Sequence, residues 1–97
     1  MDEIPQVTDN PAASRLELTV GGQLAELAYR RRGNRFVLIH TGVPEQLEGH
    51  GIGGKLVRAA VDMAAAEGLT VVPLCPFARD WLRQHPDAAA KAKMDLG

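Results

Sequence analysis

From Arg15 onward, Leu16, Leu18 and Val20 alternate with Arg15, Glu17 and Thr19. A period of two is that of a half-buried β-strand. Gly21-Gly22 follows, a pair suited to a tight turn with positive φ at its centre, so a second strand, Gln23 to Arg31, is expected to return antiparallel. Gly33-Asn34 supplies another turn. Arg35 to Thr41 then sets Phe36, Leu38 and His40 on one face and Val37, Ile39 and Thr41 on the other. Apolar residues on both faces predict a central strand, covered above and below.

The period then changes. Gly42-Val43-Pro44 ends the third strand, because proline cannot donate to a ladder. Ile52, Leu56, Ala60 and Met63 recur at helical spacing, Val57, Val61 and Ala64 widen the apolar face, and Lys55, Arg58 and Asp62 form a polar stripe. Gly68 is a C-terminal stop, so the helix runs to about sixteen residues, roughly 24 Å. Leu69 to Leu74 reads as a buried strand. Reached through a helix, it is expected parallel to the third strand by a right-handed crossover. Pro76 suits a first helical position, Phe77 to Gln84 forms a short helix, and His85-Pro86 ends it. The order is β-β-β-α-β-α, a mixed α/β (α+β) chain. Residues 1–14 are expected to be a flexible lead-in, 15–86 the domain, and 87–97 a tail forming at most a frayed helix.

Composition narrows the class. The 97 residues suffice for one modest core, and 45% hydrophobic with 24% charged content is that of a globular domain. Eleven Lys and Arg against twelve Asp and Glu leave a net charge of −1, so no strong field recruits nucleic acid. Met1-Asp2-Glu3-Ile4-Pro5 lacks the basic and apolar parts of a signal peptide, and no apolar run reaches the ~18 residues needed to span a bilayer. A cytoplasmic protein is expected, and the lone Cys75 fits a reducing compartment.

The chemistry concentrates in Glu48-Gly49-His50-Gly51-Ile52-Gly53-Gly54-Lys55-Leu56. Four glycines before an apolar-periodic segment predict a loop feeding a helix N-terminus, where unpaired amides and the positive end of the helix dipole favour an anion such as phosphate. Gly49, Gly51 and Gly54 match G-x-G-x-x-G, and Gly49, Gly54 and Lys55 match most of a P-loop. Neither match holds in context. No strand directly precedes the glycines, as a dinucleotide fold requires, and Leu56 stands where a P-loop needs a magnesium-binding hydroxyl.

The runs His40-Thr41-Gly42-Val43-Pro44, Leu47 to Val57, Val72-Pro73-Leu74-Cys75-Pro76-Phe77 and His85-Pro86 resemble, in order and spacing, the small YjdJ-type branch of the GNAT superfamily of N-acetyltransferases. The resemblance spans His40 to Pro86. It implies a reduced GNAT fold and an acetyl-CoA-dependent N-acetyltransferase acting on a primary amine of unknown identity, as a monomer or weak homodimer. The superfamily's cofactor signature falls on Glu48, Gly51 and Gly53, with Glu48 departing from the usual Arg or Gln. Cofactor contacts are thereby implied at Thr41, Val43, Glu48, Gly49, His50, Gly51, Ile52, Gly53, Gly54, Lys55, Cys75 and Phe77. The third strand and the strand ending at Leu74 would splay so that pantetheine adds to the sheet.

Two side chains are candidates for catalysis. Cys75, between a buried strand and a helix N-terminus, is either a small buried hydrophobe or a thiol near the thioester. His40 is either a satisfied core histidine or a neutral base. Trp81 stands where many relatives carry a tyrosine that protonates the CoA thiolate; packing is its plainer role. Lys55 and Arg58 fit either a phosphate contact or a solvated stripe, Glu45 and the run Arg30-Arg31-Arg32 read most simply as solvated groups, and Arg83 and His85 are further cationic candidates. No metal site is expected. The alternative function is a CoA-binding module without efficient chemistry.

Overall fold

The computed structural model describes residues 6–96; Met1 to Pro5, where the expected lead-in begins, and Gly97 lie outside the described residues. In chain order it contains β1 (Thr8–Asn10), a 3-10 turn (Pro11–Ala13), β2 (Arg15–Val20), β3 (Gln23–Arg32), β4 (Arg35–Gly42) and a second 3-10 turn (Glu45–Leu47). Then follow α1 (Ile52–Glu67), β5 (Thr70–Pro73), α2 (Pro76–Gln84), α3 (Pro86–Ala89) and β6 (Lys93–Met94). The six strands form one sheet in sequence order. The first four are antiparallel, whereas β5 lies parallel to β4 and β6 parallel to β5.

The predicted three-strand meander, long helix, parallel strand and second helix are all present. Both ends carry more structure than expected. Thr8–Asn10 pairs with β2, and Tyr29 Oη donates to Asp9 Oδ1 at 2.6 Å, which ties this short strand to β3. Burial, assisted by the Asp9 carboxylate, raises the Tyr29 phenol above its ordinary range and keeps it a donor. At the other end Pro86–Ala89 is a single helical turn and Lys93–Met94 an edge strand, in place of a frayed helix. Strands of two or three residues are too short to show a period, so only tertiary pairing reveals them.

Leu16, Leu18, Ala25, Leu27, Phe36 and Leu38 from the sheet meet Leu56, Val57, Ala60, Val61 and Ala64 from α1, all at most 1% exposed. The opposite face of β2 and β3 carries Arg15, Glu17, Thr19 and Glu26 and stays partly open. α1 ends in a Schellman motif: Gly68 has φ 69°, its amide reaches Ala65 O, and the Leu69 amide reaches Ala64 O at 2.8 Å.

One deviation moves a candidate residue. Tyr29 pairs with Leu38 but Ala28 pairs with His40, which leaves Ile39 as an extra residue in β4, a β-bulge. Beyond a bulge every side chain changes face. His40, expected on the core face with Phe36 and Leu38, therefore emerges on the outer face and is exposed, while Thr41 turns inward. The expectation of a desolvated core histidine is overturned, because the alternation supporting it breaks one residue earlier.

Arg31 shields the far end of the core. Its guanidinium lies 5.3 Å from the Phe36 ring centroid and 5.9 Å from that of Tyr29, and donates to both Glu67 oxygens at 2.6 and 3.1 Å. Those hydrogen bonds hold the Glu67 carboxyl below its ordinary value. A group whose folded-state pKa is lowered stabilises the fold above the unfolded value, and that contribution is lost as pH falls through the folded one. Glu67→Gln is accordingly expected to melt slightly below the parent at neutral pH, with the gap in Tm closing below about pH 4; a gap unchanged at acid pH would remove the pair from the stability of the fold.

Candidate functional site

The bulge leads into a cleft. β4 and β5 keep register only as far as Leu38 opposite Pro73, and the Leu74 and Cys75 amides then both donate to Leu38 O at 3.0 Å. β5 ends there and β4 runs on to Gly42. Among the described residues, the main chain of Ile39–Gly42 therefore has no strand neighbour on its β5 side.

A cavity of about 650 Å³ opens alongside. Its floor is His40, Thr41, Gly42 and Val43 of β4 and the turn beyond; Leu47, Glu48, Gly49 and Gly51 form one wall. The first turn of α1, Ile52 to Gly54, closes the end, and Phe77 and Trp81 of α2 form the other wall. Gly51, the N-cap of α1, has φ 74°, and Gly49 has φ 84°; a side chain at either would point into open space. Among the described residues no side chain caps this helix, and no acidic residue stands in its first turn. The amide of Lys55 is the first to bond within the helix, to Gly51 O at 3.1 Å. Ile52, Gly53 and Gly54 thus present donors that the helix itself cannot use.

Gly53 and Gly54 have a different reason to be glycine than Gly49 and Gly51. A Cβ on Gly53 would lie 2.6 Å from Phe77 Cζ, and one on Gly54 would collide with Trp81 Nε1, with Cε2 at 3.1 Å. The two aromatics lie directly on the helix backbone, so these glycines let α2 approach α1. Trp81 is held in place: His85 stacks on it with centroids 4.0 Å apart, Arg58 lies 5.2 Å from its ring centroid, and Trp81 O accepts from His85 Nδ1 at 2.8 Å. Arg58 and His85, two of the cationic candidates, are engaged by this stack.

Of the anticipated contacts, Thr41, Val43, Glu48, Gly49, Gly51, Ile52, Gly53, Gly54 and Phe77 line the cleft, and so does His40. His50 and Lys55 are exposed beside it. Cys75 is 4% exposed and lies behind Thr41, with Sγ 3.4 Å from Thr41 Oγ1. It caps the α2 N-terminus through its main chain, Arg79 N donating to Cys75 O at 3.0 Å. Glu45 is exposed in the 3-10 turn. Sequence reasoning left Gly42, Leu47 and Trp81 out of the cofactor contacts, with packing as the plainer role for Trp81; a pair of glycines one helical turn from a cleft is the signal that bulky groups pack there. Among the described residues no cluster of His, Cys, Asp or Glu is arranged for a metal, and no helix is long and apolar enough to cross a membrane.

This architecture has known counterparts. A solution NMR structure of a GCN5-like candidate N-acetyltransferase from Staphylococcus aureus is similar to 95% of this chain and 90% of its own, with a TM-score of 0.73 and 26% identity. The family model for GCN5-related N-acetyl-transferases matches residues 15–91, which include every strand from β2 to β5, the glycine loop and α2. With the open strand pair and the uncapped glycine-led helix, that match makes the chain a member of the GCN5-related N-acetyltransferase family and a transferase.

Proposed function

We propose that the cleft binds acetyl-CoA and that the enzyme passes the acetyl group to a primary amine by direct attack on the thioester. The observation that carries this reading is the meeting, in one cavity, of the uncapped first turn of α1 with a length of β4 that, among the described residues, lacks a strand neighbour on its β5 side. The diphosphate suits the amides of Ile52 to Gly54 and the adjoining loop, where the helix dipole is positive. The amide-bearing pantetheine arm suits the open main chain of Ile39 to Gly42, as an added strand would. With the arm so laid, the thioester falls near Thr41.

His40, at the cleft edge with its ring exposed, is the residue we assign to accept the proton from the incoming amine. Near-complete burial of Cys75 behind Thr41 favours direct transfer over an acetyl-cysteine. Its thiol is instead suited to fix the Thr41 hydroxyl beside the departing sulfur.

The test is incubation with acetyl-CoA and a panel of primary amines, following free thiol release, alongside calorimetric CoA binding. Saturable binding and amine-dependent thiol release are expected. The Cys75→Ala variant should keep its CoA affinity within about threefold and turn over more slowly, and the parent enzyme should show no acetyl adduct by mass during turnover. Binding without turnover across the panel would favour a CoA-sensing module, and absence of binding would overturn the reading.

A further inference from the structure

A second polar feature sits at the cleft edge, on the outer face of the sheet. The register of β3 against β4 sets Glu26 opposite Gly42 and Ala28 opposite His40. Glu26 and His40 thus occupy diagonal positions on one face, within side-chain reach of each other. Gly42 is the gap between them: a Cβ there would lie 3.6 Å from His40 Nε2 and 3.6 and 4.0 Å from Glu26 Cγ and Oε2. Both His40 and Gly42 line the cleft. Arg15 neutralises this carboxylate only in part. Its Nη1 reaches Glu26 Oε1 at 3.3 Å while its Nε serves Glu17, which also accepts from Asn10 Nδ2 at 3.0 Å. One arginine shared by two carboxylates leaves a net negative charge, with Oε2 of Glu26 turned toward Gly42.

We propose that Glu26 and His40, across Gly42, form the acceptor subsite and that it takes a primary alkylammonium ion. This rests on the acetyl-transfer reading for its chemistry and on the sheet geometry alone for its binding. Glu26 Oε2 pairs with the cationic nitrogen, the missing side chain at Gly42 leaves room for the adjacent methylene, and His40 takes one proton from the nitrogen. The freed lone pair attacks the thioester carbonyl carbon; the C–N bond forms, the C–S bond breaks with its electron pair leaving on sulfur, and the second nitrogen proton ends on that sulfur. An amide and a thiol result, and the His40 proton passes to water. A carboxylate at the nitrogen selects charged aliphatic amines over neutral nucleophiles, because leaving it unmatched forfeits a charge-assisted hydrogen bond.

The subsite can be read without turnover. In the full chain, the His40 imidazole NMR signals are expected to shift saturably with butylammonium chloride and not with butanol. In Glu26→Gln, an isosteric change on a partly open face, the apparent affinity should fall by at least about tenfold with CoA affinity kept. Gly42→Ala should weaken butylammonium in the same way by filling the gap. In turnover, Glu26→Gln should raise KM for butylamine by a similar factor while hydroxylamine, uncharged at neutral pH, is little affected. A His40 response that is absent in the parent, or equal in parent and Glu26→Gln, overturns the subsite even if CoA binds. A response lost in Glu26→Gln upholds it even if CoA does not bind, in which case only the acetyl-transfer reading falls.

Discussion

Gly51→Val is expected to weaken CoA binding by about 2 kcal/mol or more, some thirtyfold, in a protein that still folds. Gly51 holds φ 74° at the residue where loop becomes helix, and a Cβ there meets nothing within 4 Å. Contact is therefore not the difficulty. A left-handed conformation costs an ordinary residue roughly 1–2 kcal/mol, and β-branching makes it worse. The loop relieves that strain by turning toward negative φ, which re-aims the amides of Ile52 to Gly54. Whatever branched side chain remains stands over the same donors from the open side. Titration calorimetry with CoA, beside a far-UV spectrum and a thermal melt, checks the outcome. A folded variant with parental affinity would show that these amides do not hold the diphosphate.

Gly54→Ala should destabilise the fold by about 1–3 kcal/mol, the usual cost of overpacking, although alanine is by itself the better helix former by up to ~1 kcal/mol. The added methyl collides with an indole that cannot swing aside, since His85 and Arg58 flank it. At Gly53 the colliding atom is the tip of a ring that is 45% exposed, so the same change should cost less. The diagnostic is a reversal of sign. In a Trp81→Ala background the obstruction is gone, and Gly54→Ala should become neutral or stabilising, a coupling that a double-mutant cycle of denaturant midpoints measures directly. Additive effects would mean that the indole does not constrain this glycine.

Those two positions also show what could be read from the chain alone. Leu16 to Val20 announced its strand through strict alternation, and Gly21-Gly22, which announced the return of a second, adopted the pair of positive φ values that its tight turn requires. Ile52 to Gly68 carried its period, its glycine entry and its glycine stop within the segment itself. Gly53 and Gly54 were legible as glycines but not for their reason, since the groups that demand them, Phe77 and Trp81, come more than twenty residues later. The extra residue at Ile39 had no local mark at all. It is a property of how two strands mate, and it decided which side of the sheet received His40 and Thr41. Glu26 likewise gained its place beside Gly42 only through the pairing of β3 with β4. Local periodicity recovered the elements, while the positions of the reactive groups depended on long-range register.

Strand order equal to chain order has a kinetic corollary. The first four strands join through short reversals, so they can zip up by nearby closures. The seam between Arg35 and Thr70 joins residues 35 positions apart and needs all of α1 to be laid down before it shuts. Loop-closure entropy makes such a seam a late event. Because the cleft exists only where that seam opens again, ligand binding during refolding should lag behind the gain of hairpin structure and report the final assembly step.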